Sequence, residues 1–159
     1  MAKVGTLVRA ALIVSDLERA SAFYRDILGI AGTYAEGELT HAAGAKLLGM
    51  PAGARIKYRI LKQAGGPNRG MVGLFEVSNP APPGVHKRRD GVSVGEAVLV
   101  FYCDDVHEVH RKLVAAGHTV ICPPTHLQVT ANKGQPEMVF MDPDGVLVNL
   151  IQRDPDDSK

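Results

Sequence analysis

The sequence predicts an α+β fold of two βαβββ modules, whose curved mixed sheets surround a shared concave pocket. Three observations carry that expectation. The stretches "RAALIVSDLERASAFYRDIL" and "VLVFYCDDVHEVHRKLVAAG" follow one grammar, with Arg9 falling on Val98 and Asp16 on Asp105. In both, the apolar pattern changes from a strand run to helical period at an acidic residue. Between the two copies lies "SNPAPPGVHKRRDGVSVGE", whose Pro and Gly content reads as a crossing linker.

The first strand opens at Arg9 and ends at Ser15-Asp16, whose side-chain oxygens suit the free N–H groups of a starting helix. Leu17, Ala20, Phe23, Tyr24, Ile27 and Leu28 keep helical spacing up to Gly29, the kind of left-handed residue that ends helices. "HAAGAKLLGMPAG" predicts a short helix stopped by Pro51, and it makes the first half longer than the second. "ARIKYRILKQ" sets Ala54, Ile56, Tyr58 and Ile60 against Arg55, Lys57 and Arg59, so it is a strand with one covered face. "GGPNRG" turns it into "MVGLFEV". The one-sided stripe of Arg55, Lys57 and Arg59 reads as a solvated edge strand guarded by charge.

In the second half, Val106, Val109, Leu113 and Ala116 mark the helix after Asp105, which closes at Gly117. "EMVFMDPDGVLVNLIQ" is a hairpin with Asp142-Pro143-Asp144-Gly145 as its turn. Its end aligns with that of the first half, "VGLFE" on "VNLIQ". The implied organisation is a first module over 1–78, a linker over 79–95, a second module over 96–153 and a frayed tail over 154–159.

With 159 residues, 45% of them hydrophobic and 22% charged, the chain has the balance of a globular protein with room for two half-domains and not two large domains. A net charge of +1 gives no general attraction to nucleic acid. No signal peptide or membrane-length apolar run is evident, so no membrane partner is expected. Cys103 and Cys122 are too few for a disulfide scaffold, and a reduced, cytoplasmic setting fits.

On "IVSDLERASAFYRDILGI", "YCDDVHEVHRKLVAAGHTV" and "FMDPDGVLVNLIQ", the chain resembles the vicinal oxygen chelate superfamily. That superfamily includes glyoxalase I, extradiol dioxygenases, methylmalonyl-CoA epimerase, fosfomycin-resistance enzymes and bleomycin-resistance proteins. The resemblance spans nearly the whole chain and implies a small-molecule ligand and a homodimer. It also carries the superfamily's metal-ligand positions onto Arg9, Gly73, Val98 and Asn149. Arginine offers no lone pair, glycine and valine no donor, and one amide oxygen is a poor metal site alone. No cofactor is therefore expected, with a divalent metal held by displaced ligands such as His41, His126, Glu76 or Glu137 as the alternative.

Strand period places Arg9, Ala11 and Ile13 on one face, with Gly73, Phe75, Val98, Val100, Tyr102, Leu147, Asn149 and Ile151 at matching positions. The expected ligand-binding set is Arg9, Ala11, Ile13, Phe75, Val98, Val100, Tyr102, Leu147 and Asn149, an apolar wall in which Arg9, Tyr102 and Asn149 are the polar points. Arg9 suits the anionic end of an apolar ligand. An internal or dimer-related carboxylate, Glu96, Glu76 or Glu137, is the competing partner. "HEVH" at 107–110 lacks the spacing of a zinc helix and reads as an exposed helix face, and "KRRD" at 87–90 as hydrated linker. His41, His86, His118 and His126 fall in turns or strand starts, from which an imidazole can approach a pocket as general base. Cys103 falls on the helix side of its strand.

Three functions are compatible with these residues. The first is binding, with or without transformation, of a small apolar organic anion without metal. The second is a metal-dependent lyase, epimerase or dioxygenase with displaced ligands, and the third is drug sequestration of the bleomycin-resistance type. Whether the protein is an enzyme stays open; if it is, lyase, isomerase or dioxygenase-like chemistry is implied by the resemblance.

Overall fold

Two runs of strand, helix and three strands are present in the structure, a computed structural model that describes residues 3–85 and 92–153. The chain divides into two units, Met1–His86 and Lys87–Lys159. In the first, β1 (Arg9–Val14) leads to helix α1 (Leu17–Ala22), then β2 (Gly32–Glu38), a short helix α2 (Ala43–Leu47), β3 (Arg55–Lys62) and β4 (Met71–Ser78). In the second, β5 (Val98–Cys103) leads to α3 (Val106–Ala115), β6 (Val120–Thr130), β7 (Lys133–Met141) and β8 (Leu147–Gln152). Each unit forms one four-stranded sheet, ordered β1-β4-β3-β2 and β5-β8-β7-β6. The first strand runs parallel to the last in each and the other pairs are antiparallel, so both sheets are mixed. His86, the "KRRD" segment and the tail from 154 lie outside the described residues.

The helix starts follow the acidic residues. Asp16 Oδ1 accepts from the Arg19 backbone N–H at 2.9 Å, and Asp105 Oδ1 accepts from those of His107 and Glu108 at 2.9 and 3.0 Å. A second cap reaches each helix from its own last strand. Glu76 Oε2 accepts from the Leu17 N–H at 2.8 Å, and Gln152 Oε1 from the Val106 N–H at 3.4 Å. These residues occupy the same place in the aligned ends "VGLFE" and "VNLIQ", so the internal repeat extends to a tertiary contact. The helix expected through Leu28 changes character halfway, passing at Phe23–Ile27 into a wider π turn that Gly29, at φ +72°, ends. Phe23 and Tyr24 are both buried there, edge to face with ring centres 5.3 Å apart.

Helix α1 packs on β3 and β4, over Val14, Leu61, Val72 and Leu74. Helix α3 covers Met138, Phe140, Val148 and Leu150 with Val106 and Leu113. The DPDG turn is held by Asp142, which is buried and whose Oδ1 accepts from the N–H groups of Asp144 and Val146 at 2.9 and 2.8 Å.

The basic stripe corrects one expectation. β3 is not an edge strand, because it lies between β4 and β2. Alternation sends Arg59 to the α1 side, where it meets Glu18 of α1 at 2.9 Å and its cross-strand partner Glu36 at 2.6 Å, and Arg55 pairs with Glu38 at 2.9 Å. Two of its three cations, Arg55 and Arg59, are paired, so the stripe is not a bare basic surface. None of the described helices is long and apolar enough to cross a membrane.

Candidate functional site

Arg9, Ala11 and Ile13 are the exposed positions of β1, alternating with better buried neighbours. The register pairs Ala11 with Gly73 and Ile13 with Phe75, then Gly73 with Ile60 and Phe75 with Tyr58. All of these side chains therefore share Arg9's face, opposite α1. Gly73 is what lets Arg9 lie flat there. A Cβ at position 73 would sit 2.9 Å from Phe75 Cε2 and 3.2 Å from Arg9 Cδ, so the arginine stem and the phenyl ring occupy the space a side chain would need. Next to them the Phe75 and Tyr58 rings stack, with centres 6.2 Å apart and planes at 23°. The extra segment of the first half closes one end of this face, since Ala45 of α2 packs with Ile56 and Val77, and Met50, Ala54 and Phe75 lie against them.

The charge of Arg9 is not met by the carboxylates the sequence offered. Among the described residues no carboxylate pairs with it. Glu76 caps α1, Glu137 accepts from the Asn149 amide at 3.0 Å, and Glu96 accepts from the Ser93 N–H at 3.0 Å. The other strand arginines of this sheet, by contrast, have partners. Arg59, hydrogen-bonded to Glu18, holds that carboxyl below its usual range, and Arg55 does the same to Glu38.

On the second sheet, Val98 pairs with Leu147, Val100 with Asn149 and Tyr102 with Ile151, and β7 adds Glu137 and Val139 to the same face. Val98, Val100 and Tyr102 are 41, 58 and 57% exposed, while Leu147 is buried. The polar points are Tyr102 and the Asn149–Glu137 pair. Asn149 donates through Nδ2, and its Oδ1 is buried with no hydrogen-bond partner among the described residues. The residues of the expected set thus fall on one face of each sheet, with Leu147 buried and Phe75 and Asn149 half-buried.

Residues 6–150 match the model of the Glyoxalase/Bleomycin resistance protein/Dioxygenase superfamily. The chain belongs to that superfamily. Its fold is similar to that of a glyoxalase family protein from Bacillus cereus, with 13% identity, a TM-score of 0.70 and 95% of each chain covered. An antibiotic binding protein from a Streptomyces species is similar over 97% of this chain and 100% of that one, at 19% identity and TM-score 0.61. A glyoxalase I variant from Zea mays is similar over 93% of this chain and 44% of its own length, at 18% identity and TM-score 0.61. At these identities the likeness is one of fold. The chain matches no curated protein.

Superfamily membership raises the question of a divalent metal, and the side chains at the four corresponding positions do not fit one. The space at Gly73 is filled by the Arg9 stem and the Phe75 ring, Val98 has no donor, and Asn149 offers only one neutral amide oxygen. The displaced candidates are not brought together. His41 Nδ1 accepts from the Ala43 N–H at 3.2 Å at the start of α2, and Glu76 faces α1. His126 lies in β6 opposite Pro136, on the sheet face away from Glu137, with its ring 3.2 Å from Gln128 Oε1. Among the described residues no three His, Cys, Asp or Glu side chains cluster as a metal site would require.

The remaining candidates have local roles. His107 is exposed and His110 half-buried on α3, one turn of helix apart. Cys103 is half-buried on the helix side, and that burial pushes its thiol up. Tyr58 and Ile60 belong to the Arg9 face, although they are absent from the expected set. Their period-two pattern was visible in "ARIKYRILKQ", but the register joining them to Gly73 and Phe75 is set by the β3–β4 hairpin and not by either strand alone.

Proposed function

We propose that the protein binds a small apolar organic anion on the Arg9 face of its first sheet, which is exposed along β1, with Arg9 as the anchoring cation and without a metal. One observation carries the reading: Arg9 lies over Gly73 among apolar neighbours, and the three carboxylates that would neutralise it internally are committed elsewhere. A guanidinium in that position presents its planar fork to a carboxylate or enolate, and apolar contact around it excludes water and strengthens the pair. Ala11, Ile13 and Phe75 are the apolar contacts on this face. Val98, Val100, Tyr102 and Asn149 offer a second apolar surface with its own polar points.

Binding alone accounts for these side chains. Arginine stays protonated and transfers no proton, and Ala11, Ile13 and Phe75 beside it carry no group that could. Sequestration without chemistry is a use of the fold that fits the antibiotic-binding relative, and the pairing of Arg55 and Arg59 removes most of the basic charge that would turn cations away. Arg9 still favours anions.

The test is calorimetric titration of the purified chain with a panel of small apolar carboxylates, with elemental analysis of the same preparation. Arg9→Met keeps most of the stem and removes the charge. Anion binding is expected to weaken by about 1.5–3 kcal/mol, the worth of a hydrogen bond to a charged group. Unliganded stability is expected to hold or rise. Unchanged anion binding in the variant contradicts the reading, and a stoichiometric transition metal that is needed for binding replaces it with the metal-dependent alternative.

A further inference from the structure

We infer that the anion is a planar aromatic carboxylate whose ring lies against Phe75 and Tyr58, an inference that rests on the binding role proposed for Arg9. Gly73 brings the arginine stem and the Phe75 ring together over one backbone position, with the two atoms nearest a would-be Cβ belonging one to each. A carboxylate held by the Arg9 fork is thereby delivered beside an aromatic ring. The cross-strand register extends that surface, because Phe75 is flanked by Ile13 on one side and by Tyr58 on the other. The Phe75 and Tyr58 rings stack, with planes 23° apart and centres 6.2 Å apart, so the pair serves as one aromatic floor beside the arginine. Both residues are half-buried, which leaves part of that floor open.

The shape of the face limits the ligand as much as its chemistry does. Its far end is blocked where Ala45 of α2 packs onto Ile56 and Val77 and Met50 fills in beside them. Gly73 and Val77 stand four residues apart on β4, a strand length of roughly 13 Å. One ring or two fused rings bearing a carboxylate fit that span, and a long acyl chain runs into α2. An aryl carboxylate is conjugated and flat, so a bidentate pair with the guanidinium continues the ring in one plane along the sheet. A saturated ring makes the same ion pair but buckles away from the floor and gains no ring stacking.

The full chain is titrated with 2-naphthoate and with its fully saturated decalin counterpart, in the wild type, Arg9→Met and Phe75→Leu, and ligand proton shifts are read by NMR. Naphthoate is expected to bind about fivefold tighter than the saturated acid, in line with the worth of an aromatic pair, and its ring protons to shift upfield. Phe75→Leu is expected to weaken naphthoate more than the saturated acid and so to remove that preference, and Arg9→Met weakens both acids. Because Phe75 also touches the packing under α2, Tyr58→Leu and the wild-type ring shifts provide readouts that do not depend on that variant folding. Equal binding of the two acids, still weakened by Arg9→Met, overturns the aromatic class and leaves the anion site standing. Binding indifferent to Arg9→Met overturns both.

Discussion

At position 73 a single hydrogen in place of a methyl decides where two larger side chains lie. Gly73→Ala puts a Cβ within 2.9 Å of the Phe75 ring and 3.2 Å of the Arg9 stem, and at least the ring has to move. The expected cost is about 1–3 kcal/mol of stability by chemical denaturation, as for other overpacked sites, with weaker anion binding because the arginine is displaced. A variant as stable as the parent and binding equally well would show that the stem is not held there. A different residue controls the acid limb of stability. The Asp105 carboxyl is held below its usual range by hydrogen bonds from the Glu108 and His107 N–H groups at the start of α3. The folded state therefore favours the ionised form. That contribution is full above the ordinary aspartate range and is lost as pH falls through the depressed value. Asp105→Asn keeps an acceptor oxygen but cannot ionise, so its stability is expected to fall less steeply with acid than that of the parent in urea melts between pH 6 and about 2.

Helix starts are shared between elements, and here the two modules use one device with different side chains. Glu76 reaches from β4 to the Leu17 N–H with a charged oxygen at 2.8 Å, while Gln152 reaches from β8 to the Val106 N–H with a neutral one at 3.4 Å. A helix N-terminus favours the negative partner. Glu76→Ala leaves a part-buried N–H unpaired and is expected to cost about 1–3 kcal/mol, with a smaller loss for Gln152→Ala; equal losses would mean that the contacts are only packing. These elements were largely legible in the sequence. The acidic caps, the two strand periods, the DPDG turn and the extra helix before Pro51 all act through neighbours within a few residues. What was not legible depends on pairing between distant strands. β3 looks like an edge strand by its charges, yet Glu36 and Glu38 of β2 lie outside it and pair with Arg59 and Arg55. The Arg9 face was legible as far as Phe75, since β1 and β4 each show their own alternation. Tyr58 joins it only through the β3–β4 register, and α2 covers its end by a tertiary contact that no local period announces.

For the molecule as a whole, near-neutral net charge and exposed sheet faces act together. A charge of +1 gives two copies almost no mutual repulsion. Ile13 on the first sheet, and Val98, Val100 and Tyr102 on the second, leave apolar surface in contact with water in the single chain. A ligand of one or two rings covers only part of it. Burial of the remainder against a second copy lowers the free energy by roughly 25 cal/mol for each Å² removed from water, and closed two-fold pairing is the commonest way to achieve it. The expected state is therefore a homodimer at micromolar concentration, with or without ligand, measured by sedimentation velocity. Val100→Asp places a charge in the centre of the β5 face without touching the helix side, so it is expected to raise the dimer dissociation constant while the thermal melt of the monomer stays nearly unchanged. A parent chain that sediments only as monomer contradicts the assembly. A Val100→Asp variant that dimerises as tightly as the parent moves the interface off the β5 face.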